Sequence, residues 1–165
     1  MEIKLTLALP RDEVSVPVVR KILTSSLKVL GVVPDVVHDI QLALTEACTN
    51  VLDHAQESDE YEVSAGIDGT LCVIEVVDRG SKAFDGNEKG HTAADLEAEE
   101  GRGIQLMRAL VDKIEFTNRP HVGAVVHLEK QLELEEDAPL KLMSQPTEHG
   151  PWSDDERLED APDRT

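Results

Sequence analysis

Aromatic residues are almost absent from this chain of 165 residues: they make up 2% of it, as one Trp, one Tyr and two Phe. A core must therefore be built from aliphatic side chains, and a hydrophobic content of 40% is sufficient for one domain. No apolar run approaches the roughly 18 residues of a membrane-spanning helix. The start, Met1-Glu2-Ile3-Lys4, leads only into a short apolar patch, so we expect no signal peptide.

Basic residues are also scarce, because 16 Lys and Arg face 34 Asp and Glu and give a net charge of −18. This balance argues against nucleic acid as the main partner, since phosphate binding needs a basic surface. It argues equally against binding to an anionic membrane. The two cysteines, Cys48 and Cys72, lie far apart within apolar segments. We expect two reduced, packed thiols in a cytoplasmic protein, with no disulfide and no zinc site.

The hydrophobic periodicity predicts alternating strands and helices. Strands are predicted at 3–9, 61–67, 71–77, from 113 and at 122–130, and helices at 12–30, about 35–56 and 103–111. Gly31 ends the first helix, and Asp68-Gly69 is a strong hairpin signal. The pattern predicts an α/β fold, a two-layer sandwich with a mixed, mostly antiparallel sheet and helices on one face.

The charge distribution divides the chain into a domain at 1–130 and a tail at 131–165. The tail holds 11 acidic and 3 basic residues together with four prolines, and it has little apolar material after Met143. Such a segment lacks the means to offset its ordering entropy, so we expect it to be disordered. A docking peptide centred on Trp152 is the alternative for this tail.

The second predicted helix carries two stripes. Its apolar residues recur at helical spacing and define a buried face. At about 100° per residue, Glu46, Asn50, Asp53 and His54 form a polar stripe beside that face. A carboxylate, an amide and an imidazole in this position could line a pocket, although a solvated surface would have the same pattern.

A long polar segment without periodicity, residues 79–100, lies between two glycine-containing stretches. Structureless loops of this length inside a compact domain are uncommon and are usually functional or disordered. Asp78-Arg79-Gly80 follows a buried-type strand, where the carboxylate could accept from an amino group. Gly101-Arg102-Gly103 opens a helix, and helix N-termini preceded by glycines bind phosphate through backbone N–H groups. An ordinary turn and an ordinary helix cap are the alternatives.

Together these motifs resemble a known family. The chain is similar to the GHKL (Bergerat-fold) ATP-binding domain and, more narrowly, to the bacterial anti-sigma factor serine-protein kinases. The resemblance covers about residues 1–130, and it rests on Glu46-Ala47-Cys48-Thr49-Asn50 with His54, Asp78-Arg79-Gly80, Gly101-Arg102-Gly103-Ile104 with Met107, and Gly123-Ala124-Val125-Val126. The family often has Thr where this chain has Ala124.

The resemblance implies a Bergerat ATP-binding fold that uses ATP and Mg²⁺. Asn50 would ligate the Mg²⁺, and Glu46, one helical turn earlier, would be the catalytic general base towards an attacking hydroxyl. Such a pair suits phosphoryl transfer, which depends on positioning and charge neutralisation. Residues 81–100 would form a lid that excludes water.

The same resemblance assigns the nucleotide-binding positions. Asp78 would accept from the adenine amino group, with Gly80 packed against the base. The phosphate end of the nucleotide would be bound by Gly101, Arg102, Gly103 and Ile104.

The implied activity is that of an anti-sigma factor-type serine/threonine protein kinase. By resemblance, a homodimer would bind a sigma factor and phosphorylate an anti-anti-sigma (STAS-domain) protein. A non-catalytic, ATP-dependent switch that sequesters a sigma factor or another regulator is the main alternative, and Glu46 favours catalysis over it. A sensor histidine kinase would need an upstream helical domain with a phosphoacceptor His. The Hsp90, gyrase and mismatch-repair relatives of this family would need a transducer domain. The simplest alternative is an α/β domain without a nucleotide.

Overall fold

The computed structural model describes residues 2–54, 59–78, 102–119 and 121–144. In chain order the elements are β1 (Glu2–Pro10), α1 (Ser15–Val29), α2 (Pro34–His54), β2 (Glu60–Asp68), β3 (Leu71–Asp78), α3 (Arg102–Leu110), β4 (Lys113–Arg119), β5 (Gly123–Gln131) and α4 (Pro139–Ser144). The predicted order of strands and helices is confirmed up to β5, with ends that differ by a few residues. In this part of the chain no helix is both long and apolar enough to cross a bilayer.

The five strands form one sheet in the order β1-β2-β3-β5-β4. All four pairings between described strands are antiparallel, so the sheet has no parallel pair where the sequence predicted a mixed sheet. The predicted α/β two-layer class is confirmed. The connection from β3 to its neighbour β5 passes through α3 and β4.

Helices cover one face of the sheet. Strand residues alternate between faces, so an inner strand can present an apolar side to these helices. In β2 and β3 the inward positions are buried and, apart from Asp78, apolar, and the outward positions other than Val77 are half-buried or exposed. The central helix α2 contacts α1, α3 and β3. It is the middle of the helical layer, and its apolar stripe is almost fully buried, at Val36, Val37, Ile40, Ala43, Leu44, Ala47, Cys48 and Val51. The aliphatic core expected from the scarcity of aromatics is therefore present.

Two glycines act at the predicted chain reversals. Gly69 has a φ of +59° in the two-residue turn between β2 and β3, where the register pairs Asp68 with Leu71. Gly31 has a φ of +82° directly after α1, the position at which helices commonly end in a left-handed residue. The positions of Gly69 and Gly31 agree with the predicted hairpin and with the predicted end of the first helix, respectively.

The packed domain extends beyond the boundary predicted at residue 130. The segment 131–144 crosses the turn between α1 and α2, where Leu134 forms a β-bridge with Val32. Leu132 and Leu140 belong to the main hydrophobic core, and the Leu140 N–H donates to the Leu30 carbonyl over 3.2 Å. This segment is therefore part of the domain rather than of a tail, whereas residues 145–165 lie outside the described residues.

Replacement of Gly31 by Ala is expected to destabilise the domain by about 2–5 kcal/mol. The positive φ is strained for alanine, and an added Cβ would lie 2.5 Å from the Cβ of Ala138. Urea unfolding measures the loss. Gly69→Ala is the matched control, because its φ is also positive but no atom lies within 4 Å of its added Cβ. Equal losses in the two variants would show that the contact with Ala138 contributes nothing.

Candidate functional site

Glu46 and Asn50 lie one turn apart on the half-buried side of α2. Ala47 and Cys48, between them in sequence, are fully buried and fix the rotation of the helix. The two polar side chains thus emerge at the edge of the buried face, as the periodicity predicted. Asp53, farther along the same helix, is exposed.

The N-terminus of α3 lies against this polar pair. A Cβ built on Gly103 would be 2.5 Å from Oε2 of Glu46, 3.6 Å from its Cδ and 3.9 Å from Oδ1 of Asn50. Only glycine allows so close an approach between the backbone of α3 and the Glu46 carboxylate. The structure therefore brings the predicted site residues Glu46 and Asn50 together with Gly103, which lies more than 50 positions farther along the sequence.

The other two described residues at the start of α3, Arg102 and Ile104, differ in their exposure to solvent. Arg102, the first residue of α3, is exposed. Ile104 is only 5% exposed and packs in the main core, so its side chain faces inward and only its backbone could meet a ligand. The predicted positions Gly80 and Gly101, and the predicted lid at 81–100, lie outside the described residues.

The other end of α3 is fixed by Lys130 of β5. Its Nζ donates to the carbonyl of Leu110, the last residue of α3, over 2.7 Å, and to Oδ2 of Asp39 on α2 over 3.1 Å. A lysine at a helix C-terminus satisfies a free carbonyl and interacts favourably with the helix dipole. This contact ties α3 to α2 and so helps to hold Gly103 against Glu46.

Asp78, the last residue of β3, is buried, with 7% of its surface exposed. The sheet register places it between Tyr61 of β2 and Ala124 of β5 on the helix-covered face. Its Oδ1 accepts from Nη2 of Arg11 over 2.5 Å. Arg11 could not be predicted from the sequence, because nothing in the pattern links a residue after β1 to the end of β3.

A buried polar group lies next to Asp78. The hydroxyl groups of Tyr61 and Ser15 are 2.7 Å apart, and the Ser15 hydroxyl also donates to the Asp12 carbonyl over 2.7 Å. Burial raises the pKa of Tyr61 to about 12. The hydroxyl group therefore stays neutral at ordinary pH and contributes hydrogen bonds rather than charge.

The two cysteines are free and buried, as predicted. Burial raises the pKa of Cys48 to about 12 and that of Cys72 to about 12. Because the thiolate is the nucleophilic form, neither thiol serves as a nucleophile in this structure at neutral pH. Cys48, although it lies between Glu46 and Asn50 in sequence, packs in the core.

The donor set fits a hard cation and a phosphate chain. An amide oxygen and a carboxylate face a helix N-terminus whose glycine leaves the backbone open. Mg²⁺ is bound through one or two protein oxygens together with substrate phosphates. Backbone N–H groups at a helix start favour anions. The geometry of α2 and α3 is thus suited to a magnesium–phosphate group.

Comparison with known proteins agrees with this geometry. The profile of the family described as the histidine kinase-like ATPase domain matches residues 9–130. The chain belongs to this family. The resemblance to the GHKL ATP-binding domains is thereby confirmed, and all described residues of the candidate site lie within the matched range.

Individual relatives point to one branch of the histidine kinase-like ATPases. The serine-protein kinase RsbW of Bacillus subtilis is 30% identical over 135 residues, which are 74% of this chain and 82% of the relative. The anti-sigma F factor of Pasteuria penetrans is 30% identical over 102 residues, or 58% of this chain and 68% of the relative. The relatives are thus named as anti-sigma factor-type proteins and kinases.

A solved structure supports the fold alone. A crystal structure of RsbU and RsbW domains from Mycobacterium tuberculosis matches with a TM-score of 0.60 and 21% sequence identity. The match covers 79% of this chain but only 32% of that longer chain. The fold of this chain is therefore similar to part of that crystal structure.

Proposed function

We propose that this chain is an ATP-dependent serine/threonine protein kinase of the anti-sigma factor type. It binds a sigma factor and phosphorylates an anti-anti-sigma (STAS-domain) protein. One observation carries the proposal: the backbone of Gly103 lies against the Glu46 carboxylate, with Asn50 one helical turn away. This places a candidate base, a candidate metal ligand and a candidate phosphate-binding helix start at one point.

Asn50 holds the magnesium ion in this proposal. Its amide oxygen is a neutral, hard ligand, which would suit an ion that is usually bound by few protein groups together with waters and substrate phosphates. When bound, Mg·ATP supplies the transferable phosphoryl group. The start of α3, with Gly101, Arg102, Gly103 and the backbone of Ile104, binds the phosphate end of the nucleotide through N–H groups.

Glu46 accepts the proton of the attacking hydroxyl. A bond forms between the serine or threonine oxygen and the γ-phosphorus, and the bond from that phosphorus to the β,γ-bridging oxygen breaks. The proton moves to the Glu46 carboxylate, and ADP leaves with the electron pair. A base held by a rigid helix beside the phosphate site satisfies the positional demand of this reaction.

Asp78 recognises the adenine in this proposal, with Gly80 beside the base. Its side chain is buried at the end of a central strand, between Tyr61 of β2 and Ala124 of β5. An ionised carboxylate only accepts hydrogen bonds, so it selects a base that presents an amino group.

The partners are proposed from the relatives. Their names include serine-protein kinase and anti-sigma F factor. By analogy, we propose that this chain forms a homodimer that binds a sigma factor and phosphorylates a STAS-domain protein. The name anti-sigma F factor mentions a sigma factor but no kinase activity. For this reason an ATP-dependent switch without kinase turnover is the second candidate, and it shares the same nucleotide site.

The nucleotide site is tested by thermal unfolding with Mg·ATP. At 100 times its Kd the nucleotide should stabilise the folded chain by about 2.7 kcal/mol, which for a domain of this size raises the Tm by about 5–10 °C. EDTA should remove most of the shift.

Two matched variants of α2 make this test specific. Asn50→Ala should lose the magnesium-dependent part of the shift, because it lacks the proposed ligand. Thr49→Ala should keep it, because Thr49 is the exposed neighbour on another side of the helix. No shift in the unaltered chain would overturn both candidate functions.

A further inference from the structure

Arg11 connects two elements of the proposed nucleotide site. It follows β1 directly, and its own backbone N–H donates to the Asp59 carbonyl over 2.8 Å, just before β2. Its Nη1 donates to the carbonyl of Val51 near the end of α2 over 2.9 Å, while Nη2 donates to Oδ1 of Asp78. One guanidinium group thus joins the helix that carries Asn50 to the strand that ends at Asp78.

The contact between Arg11 and Asp78 is shielded from solvent. The two side chains are 13% and 10% exposed. The Nε atom of Arg11 is buried as well, and it has no hydrogen-bond partner among the described residues. Burying an ion pair costs desolvation, and an unpaired buried donor adds to that cost, so such a pair is weak evidence for a stabilising role. A non-polar replacement of Arg11 would not reproduce the fixed direction that the ion pair gives to the Asp78 carboxylate.

Arg11 reaches Asp78 from outside the two neighbouring strands. Ala124, directly opposite in β5, contributes no polar side chain. Tyr61, opposite in β2, has its hydroxyl engaged with Ser15. The guanidinium group donates to Asp78 through Nη2 and to the Val51 carbonyl through Nη1. A planar fork of this kind fixes a carboxylate more strictly than a single ammonium does.

We propose that Arg11 is a positioning residue for base recognition: it holds the Asp78 carboxylate as an acceptor and thereby sets the preference for a 6-amino purine over a 6-oxo purine. This inference rests on the proposed ATP site. A 6-amino group donates to the carboxylate. In the same pose a 6-oxo purine directs a carbonyl oxygen, a second acceptor, at the carboxylate, and its N1–H donor lies to the side of that position.

The experiment measures the Kd of Mg·ATP and of Mg·ITP, its 6-oxo counterpart, by calorimetry. Arg11→Met should weaken ATP binding about 10-fold or more, because a hydrogen bond to a charged group loses its fixed direction. ITP binding should change by less than about 3-fold, because that base never used the contact. The ATP-to-ITP preference therefore falls, whereas a merely structural role would weaken both nucleotides together.

Two further variants complete the series. Arg119→Met is the matched control, because Arg119 pairs with Glu75 over 2.6 Å on the exposed face of the sheet. It should leave both Kd values unchanged. Arg11→Lys keeps the charge but not the fork, so its preference should lie between those of Arg11→Met and the unaltered chain.

The outcomes separate this inference from the function on which it rests. If the unaltered chain binds no ATP, the proposed function fails. If it prefers ATP and Arg11→Met keeps the same ATP-to-ITP preference, the role of Arg11 is overturned while the ATP site stands. If Arg11→Met does not fold, Arg11→Lys decides, and an unchanged preference in that variant also overturns the role.

Discussion

The Glu46→Gln variant is expected to bind Mg·ATP with nearly unchanged affinity and to transfer the phosphoryl group at least about 100-fold more slowly. Glutamine has the shape of glutamate but cannot accept the proton of an attacking hydroxyl. The half-buried position of Glu46 on α2 is retained, so the phosphate end of the site keeps its form. Loss of rate with retained binding is the behaviour expected of a base.

The measurement pairs two assays on the same protein. Calorimetry gives the Kd of Mg·ATP, and transfer of label from γ-labelled ATP to recombinant STAS-domain proteins of the same organism gives the rate. Asp35→Asn is the control, since it removes an exposed carboxylate from the first turn of the same helix. It should change neither quantity.

Two results would count against the kinase. A Glu46→Gln variant that transfers phosphate at the normal rate would remove the proposed base. An unaltered chain that binds Mg·ATP but labels none of the STAS-domain proteins would favour the ATP-dependent switch. Both results leave the nucleotide site itself intact.

The elements around the candidate site could be predicted because each has a local signal. The buried and polar stripes of α2 follow from a period of 3.6, and they fix which side Glu46 and Asn50 occupy. The hairpin between β2 and β3 follows from Asp68-Gly69, and the confirmed register carries Asp78 to the end of an inner strand. Gly103 was recognisable as a helix start. The family resemblance implied that Gly103 and Glu46 act at the same end of a nucleotide, but their direct contact was not predicted.

The contacts that were missed have no local signal. Arg11 and Asp78 are 67 positions apart, and an arginine in a turn has the same sequence pattern whether it is solvated or paired. The packing of 131–144 was missed for a different reason. Its acidic composition predicted disorder, but a few apolar side chains, among them Leu132 and Leu140, are enough because they complete an existing core. The overall composition of a segment does not show which of its single apolar side chains make such contacts.

The Gly103→Ala variant is expected to remain as stable as the unaltered chain, within about 1 kcal/mol, and to lose about 100-fold in phosphoryl transfer. The added Cβ would lie 2.5 Å from Oε2 of Glu46, so one of them must move. The carboxylate is the end of a flexible side chain and rotates away at little cost to the fold. Alanine also favours the helical state over glycine. The base is displaced while the domain stays folded.

Urea unfolding and the transfer assay together measure this separation of stability from rate. Gly66→Ala is the matched control, because no atom lies within 4 Å of the Cβ added there, on β2. It should keep the full transfer rate. Full activity in a folded Gly103→Ala variant would show that the close approach of α3 does not position Glu46. The contact between Gly103 and Glu46 would then no longer support the kinase proposal, because the glycine would serve only the geometry of the helix start.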